Sequence, residues 1–101
     1  MKVFISQPMA ARSEENIRAE RQRIMEYAGK LFPGEELEEI NSYFNADIQS
    51  KNTPLRLLGM SIELLAEADV AIFAECWMAS RGCIIEHECA KNYGVRIVDL
   101  D

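Results

Sequence analysis

The sequence predicts an α/β fold, built on a four-stranded parallel sheet with helices on both of its faces. Short, continuously apolar segments alternate along the chain with segments of helical periodicity, and strands of that kind are typical of parallel sheets covered on both sides. Parallel neighbours need crossover connections, which the intervening helices supply. The simplest right-handed winding gives the strand order 2-1-3-4, a flavodoxin/Rossmann-like arrangement.

Composition predicts one domain, spanning residues 1–101, with 49% hydrophobic and 28% charged residues. The net charge of -6 and the acidic run 35–39 argue against polymeric nucleic acid as a partner, because its phosphates would be repelled. No segment has the length of a membrane span or the pattern of a signal peptide. Three cysteines without a close CxxC pair indicate reduced thiols. We therefore expect a cytoplasmic protein with no membrane contact and a small-molecule or protein partner.

The first half of the chain predicts strand, helix and strand. The β-branched run 2–6 reads as a buried strand that ends at Gln7-Pro8. Ser13 is a good helix N-cap, and acidic residues follow it in the first turn. A weaker strand is expected over 36–40. The helix between them, ended by Pro33-Gly34, has apolar residues at helical spacing: Ile17, Ile24, Ala28 and Leu31.

The next helix, 54–66, is apolar on more than one side. Thr53 and Pro54 read as its N-cap and first helical residue. A helix of this kind needs two covers, so we expect the sheet on one side and a second subunit on the other, in a homo-oligomer formed through helix 54–66. Its apolar residues are Leu55, Leu57, Leu58, Met60, Ile62, Leu64 and Leu65.

The last two strands are expected at 69–74 and 95–100, with a helix between them that Gly94 closes. In folds of this kind ligands bind beyond the carboxyl ends of the strands, where the winding reverses. That rule selects the loop 6–12, the polar loop beginning at 41 with Tyr43 and Phe44, and the segment 75–82.

Glu86 occupies an unexpected place on the last helix. With residues at about 100° intervals, it falls in the middle of the apolar side formed by Gly82, Cys83, Ile85, Cys89, Ala90 and Tyr93. An isolated carboxylate there is costly, so Glu86 is expected to be paired, protonated or facing a cavity that holds a ligand. A purely structural carboxylate that pairs with an Arg or with loop backbone is the alternative.

Three segments carry a resemblance to a known family: KVFISQPM (2–9), ADVAIFAE (68–75) and the pattern S-x-G-x-x-x-E-x-x-x-A formed by Ser80, Gly82, Glu86 and Ala90. The chain resembles the nucleoside 2-deoxyribosyltransferase superfamily, which includes the 2'-deoxynucleoside 5'-monophosphate N-glycosidases. It is more similar still to short bacterial and phage relatives that carry ISQPM, SIELL and RGCxxEH, here at 5–9, 61–65 and 81–87. For that group the resemblance implies the fold alone.

The family resemblance implies that Glu86 is the nucleophile, attacking C1' of the sugar of a 2'-deoxynucleoside or its 5'-monophosphate and releasing the base. A carboxylate beside C1' would stabilise the oxocarbenium-like transition state and trap it covalently. Ser80 and Gly82, at the helix N-terminus, would hold a 5'-phosphate or a sugar hydroxyl. Ser80 favours nucleotides, because the transferases proper tend to have an aspartate there. Arg12 and Arg81 are the available cations.

Ser61 departs from the family pattern, because it stands where the family has an aspartate that assists the nucleophile and the leaving base. A serine can form hydrogen bonds but cannot act as a general acid near neutral pH. The chain would therefore be either an enzyme, or a catalytically inactive nucleotide-binding module of the same fold, or a structural oligomer. Besides the catalytic candidates Glu86 and Ser61, the expected substrate-binding residues are Ser6, Gln7, Pro8, Met9, Arg12, Tyr43, Trp77, Ser80 and Gly82.

Metal and cofactor sites are not expected. Cys83 and His87 lie four residues apart on one helix, with Cys76 nearby, but a fourth ligand and a recognised zinc spacing are missing. The loop after the first strand lacks the glycine-rich pattern of a conventional phosphate or dinucleotide site.

Overall fold

The sheet has four parallel strands in the order β2-β1-β3-β4, which confirms the predicted α/β fold and strand order. A computed structural model describes residues 1–43 and 48–101. Phe44, named above with Tyr43, lies outside these described residues. In chain order the elements are β1 (Lys2–Ser6), α1 (Glu14–Leu31), β2 (Glu38–Glu39), α2 (Thr53–Leu65), β3 (Val70–Phe73), a short 3-10 helix (Trp77–Ala79), α3 (Arg81–Asn92) and β4 (Arg96–Asp99).

Two apolar layers cover the sheet, one on each face. Val3 and Ile5 of β1 pack with Ile24 and Ala28 of α1, whereas Phe4 lies on the opposite face with Ala90 of α3. Successive side chains of a strand point to opposite faces, so residues that follow β1 continue the alternation. The structure therefore has α1 on one face and α2 and α3 on the other.

Side chains cap the two longest helices. The Ser13 hydroxyl accepts a hydrogen bond from the Asn16 N–H at 3.1 Å, so the predicted N-cap of α1 is confirmed. For α2 the prediction is wrong by one residue, because the Asn52 side chain is the cap and accepts from the Leu55 N–H at 3.2 Å. Thr53 is consequently the first residue of the helix.

The apolar residues of α2 have one cover in the single chain. Leu65 is its only buried residue, and Leu55 is 61% exposed. Four further apolar residues of α2 are half-buried: Leu57, Leu58, Met60 and Ile62. Of these, Ile62 packs in the apolar layer that contains Phe4 and Ala90. No helix among residues 1–43 and 48–101 combines the length and apolarity that crossing a membrane requires.

Candidate active site

A cavity of about 260 Å³ lies beyond the carboxyl end of β1, next to the point where the winding of the sheet reverses. Such crevices are the usual ligand sites of open α/β sheets. Leu57 and Leu58 of α2 form an apolar wall. Among the described residues, the polar side chains of the lining are four hydroxyls, a thiol, an amide and one carboxylate: Ser6, Ser42, Ser61, Ser80, Cys83, Gln7 and Glu86.

Glu86 is buried at this cavity, with 8% of its surface exposed. The Ser6 hydroxyl donates a hydrogen bond of 2.6 Å to Glu86 Oε1. The two residues meet because Ser6 lies on the same face of β1 as Phe4, and that face carries α3. The prediction that Glu86 lies on the buried side of its helix is confirmed, and its partner is a hydroxyl rather than an arginine.

The buried side of α3 is narrower than the sequence pattern suggests. Its buried residues are Cys83, Glu86 and Ala90, at spacings of three and four. The predictions that Ile85 and Tyr93 belong to this side are wrong, because they are 39% and 86% exposed. The helix rests on the sheet along a single stripe, and Tyr93 lies beyond its last turn.

Burial raises the pKa of Glu86 above the ordinary glutamate value, against a smaller lowering by the hydroxyls of Ser6 and Ser61. Burial also raises the pKa of the Cys83 thiol, and the nearby Glu86 carboxylate adds to that rise. The hydroxyls of Ser6 and Ser80 act in the opposite direction on Cys83. The thiol is therefore neutral at physiological pH, and Glu86 is the group that titrates in the cavity.

The raised pKa of Glu86 predicts a pH-dependent penalty on folding. Between the ordinary and the raised pKa, the folded protein keeps the Glu86 carboxyl protonated, whereas the unfolded chain has released that proton. The ionised carboxylate destabilises the fold above the raised pKa. This penalty disappears as the pH falls toward the ordinary value of 4.5. We expect Glu86→Gln to be more stable than the wild type near pH 8 and equally stable near pH 4. Urea unfolding across this range measures the difference. The exposed control Glu63→Gln should show no such trend, and a constant difference for Glu86→Gln would contradict the prediction.

Ser80 and Ser61 face the cavity from two different helices. Ser80 is the N-cap of α3, and its hydroxyl accepts from the Cys83 N–H at 3.4 Å. Ser61 lies on α2, and its hydroxyl lowers the pKa of Glu86. Gly82 and Met9 also line the cavity. These predicted site residues are therefore brought together with Glu86 and Ser6.

Gln7 lines the cavity, but its amide is bonded to α1 rather than free. Its Nε2 donates to the Glu20 carboxylate at 2.8 Å and to the Ile17 carbonyl at 3.3 Å. Its Oε1 accepts from Arg21 at 2.9 Å. Gln7 follows Ser6 and so points to the opposite face of the sheet. Its amide therefore lies on the face of the sheet that carries α1, where it supports the wall of the cavity.

Arg21 is a structural residue of the site that the sequence analysis missed. It is 4% exposed, and besides Gln7 its guanidinium donates to Glu39 at 2.7 Å, to the Ile40 carbonyl at 3.2 Å and to the Ser42 hydroxyl at 3.1 Å. Ser42 in turn donates to the Ile5 carbonyl at 3.1 Å. The signal was present in the sequence, because Arg21 lies four residues after Ile17 and three before Ile24 on the buried side of α1.

Arg12 and Pro8 lie in the loop after β1 but outside the cavity lining. The Arg12 guanidinium donates to the Pro8 carbonyl at 2.7 Å and to the Glu20 carboxylate at 2.8 Å. Its Nε and Nη2 donate to Asn16 Oδ1 at 3.0 and 2.6 Å. The guanidinium that was expected to meet a phosphate is thus held by its own loop and by α1.

Trp77 and Tyr43, the two aromatic residues predicted to bind the substrate, also lie outside the cavity lining. Trp77 stacks on His87 with ring centroids 4.0 Å apart, and both rings pack against Phe73. His87 is half-buried, with its Nε2 3.0 Å from Asp99. Tyr43 lies under the Arg18 guanidinium, 5.2 Å from it. Neither Trp77 nor Tyr43 lines the cavity that contains Glu86.

No family model, curated protein or solved structure matches this chain. The geometry of the cavity and the chemistry of its side chains are therefore the grounds on which a function is assigned below.

Proposed function

We propose that the protein cleaves the N-glycosidic bond of a 2'-deoxynucleoside or its 5'-monophosphate, or transfers the sugar to a second base, with Glu86 as the nucleophile. The observation that carries this proposal is a buried carboxylate that faces a cavity and is held by one hydroxyl, Ser6, at 2.6 Å. A glutamate with a raised pKa inside a cavity is a typical catalytic arrangement. Its surroundings of small hydroxyl groups suit a sugar.

The hydrogen bond from Ser6 defines the roles of the two carboxylate oxygens. It fixes Oε1, which leaves the other oxygen of Glu86 to attack C1'. As the new C1'–O bond forms, the bond from C1' to the base breaks, and its electron pair goes to the base nitrogen, which takes a proton from water. Water or a second base then attacks C1', breaks the ester and returns the carboxylate, and the proton that this water or base loses neutralises the hydroxide left by protonation of the first base.

Ser61 and Ser80 are suited to bind the substrate around this carboxylate, whereas the Ser42 hydroxyl already donates to the Ile5 carbonyl and accepts from Arg21. Hydroxyls donate and accept hydrogen bonds, as sugar hydroxyls and base edges require. Ser61 also supports the ionised form of Glu86, because its hydroxyl lowers the pKa of that carboxyl. Since a serine does not protonate a leaving base, the reaction would be favoured for bases that leave with little assistance.

A second candidate is a nucleotide-binding module of the same fold without catalysis. Ser61 favours it, because this residue stands opposite Glu86 in the cavity and offers no acid for the leaving base. This module would keep the cavity and bind its ligand without turnover. It would need no cofactor or metal, and neither does the proposed glycosidase.

The test is chromatography of free base after incubation of the protein with the common deoxynucleosides and their 5'-monophosphates, beside Glu86→Gln. Base release by the wild type alone supports the enzyme. Thermal stabilisation by a nucleoside or nucleotide without any base release supports the binding module. Neither base release nor stabilisation would overturn both.

We also propose that α2 is covered by a second copy of the chain. Leu55 is 61% exposed on a helix with a single buried residue, and the exposed Ile85 of α3 lines the same groove as Leu55 and Leu58. Burying this surface would complete the apolar layer. Sedimentation velocity should show a homo-oligomer that Leu55→Glu dissociates, with the exposed Glu63→Gln on the same helix as the control. A monomer at all concentrations would contradict this.

The cytoplasm is the proposed location. Cys76, Cys83 and Cys89 are all free thiols, as expected in a reducing compartment. Fractionation of the cells that produce the protein tests this proposal.

A further inference from the structure

We infer that the site takes an uncharged N-glycoside, a nucleoside without a 5'-phosphate, as its preferred substrate. This inference rests on the proposed glycosidic function and decides between the two substrate classes named there. Its basis is the position of the positive charges relative to the cavity that contains Glu86.

No lysine or arginine belongs to the lining of the cavity; Arg21 lies behind it, with its guanidinium already bonded to Gln7 Oε1, the Ser42 hydroxyl, the Ile40 carbonyl and Glu39. The sequence has 11 lysine and arginine residues, and the structure describes every one of them, because residues 44–47 are Phe, Asn, Ala and Asp. The lining contains hydroxyls, a thiol, apolar side chains and the Glu86 carboxylate. Proteins hold phosphates with arginine or lysine side chains, often together with backbone N–H groups.

Arg12 and Arg81 are close in sequence to cavity-lining residues, but neither arginine belongs to the lining. Arg12 directs its guanidinium at Glu20, Pro8 and Asn16. Arg81 is exposed and lines a neighbouring groove on the other side of Gly82, rather than the cavity of Glu86. A phosphate in the cavity would therefore meet no cation.

The charge that the cavity does contain would repel a phosphate. Among the described residues, Glu86 is the carboxylate that lines it. At the N-terminus of α3, the Cys83 N–H is already bonded to Ser80. A dianionic group would meet no cationic side chain in the lining, whereas neutral sugar hydroxyls match the hydroxyls of Ser61 and Ser80.

The experiment compares matched pairs, each deoxynucleoside against its own 5'-monophosphate, on the wild-type protein by base release. We expect kcat/KM for the nucleoside to be at least about tenfold higher within each pair. A higher kcat/KM for the monophosphate would overturn the inference and leave the glycosidic function in place. If no base is released, thermal stabilisation decides: stronger stabilisation by the nucleoside supports the inference for binding, and stabilisation by the monophosphate alone, or by neither, overturns it.

A second variant tests the electrostatic reason directly. Ala10 is exposed at the rim of the cavity, so Ala10→Arg would add the missing cation, and Ala10→Gln is the matched uncharged control. We expect the ratio of monophosphate to nucleoside kcat/KM, or of their binding constants, to rise about tenfold in Ala10→Arg relative to Ala10→Gln. An unchanged ratio would show that charge does not set the preference.

Discussion

Replacement of Glu86 by Gln is expected to reduce base release at least about a thousandfold while the protein remains folded. Glutamine keeps the shape of the side chain and accepts the hydrogen bond that Ser6 donates to Oε1. It cannot attack C1' or stabilise positive charge on the sugar. Chromatography of released base measures the loss, and circular dichroism checks the fold.

The matched control is Glu88→Gln, an exposed glutamate two residues further along α3 that is bonded to Asn92. It removes the same charge from the same helix, so it should retain base release. Wild-type activity should also fall as the pH decreases through the raised pKa of Glu86, because only the ionised carboxylate is a nucleophile. Residual activity in Glu86→Gln close to that of the wild type would show that another group attacks the sugar.

Replacement of Arg21 by Met is expected to destabilise the protein by about 3 kcal/mol. Methionine has a similar length but no donors, so it would leave the buried oxygens of Gln7, Ile40 and Ser42 without the bonds that Arg21 gives them. Glu39 would lose its ion pair as well. Urea unfolding at neutral pH measures the change in the free energy of unfolding.

Arg18→Met is the control for Arg21, since it removes an arginine from the same helix. Arg18 makes an exposed ion pair with Glu14 four residues away, and such pairs contribute at most about 0.5 kcal/mol. Equal stability losses in the two variants would mean that the buried network around Arg21 contributes no more than a surface pair. Because Ser42 and Gln7 line the cavity, Arg21→Met should also weaken ligand binding.

The fold could be predicted in detail from the sequence because its signals are local. The apolar run of β1, the Ser13 cap and the alternation of strands with helices indicate the elements, and the observed order is the simplest winding with right-handed crossovers. The errors occur where local signals compete. Asn52 and Thr53 are both good caps, and only the conformation of the chain selects Asn52. Tyr93 follows the helical spacing but lies past the end of the buried stripe.

The burial of Glu86 could also be predicted, because helical spacing places this carboxylate among the apolar residues of α3. Its partner could have been predicted by the same argument applied to β1. Ser6 alternates with Phe4 and Gln7 does not, so Ser6 faces α3 and Gln7 faces α1. Both signals depend only on the periods of strand and helix.

The remaining site residues depend on contacts between different elements of the fold, which no local pattern contains. The sequence leaves Arg12 free to bind a phosphate, but in the fold its guanidinium pairs with Glu20. The sequence also leaves Trp77 free to stack on a base, but in the fold its ring stacks on His87. The sequence by itself determined the alternation of strands with helices and the position of the carboxylate on the buried side of α3, since these follow from backbone periodicity. Only the tertiary structure decided which charged and aromatic side chains already contact other residues, and hence which side chains line the cavity around Glu86.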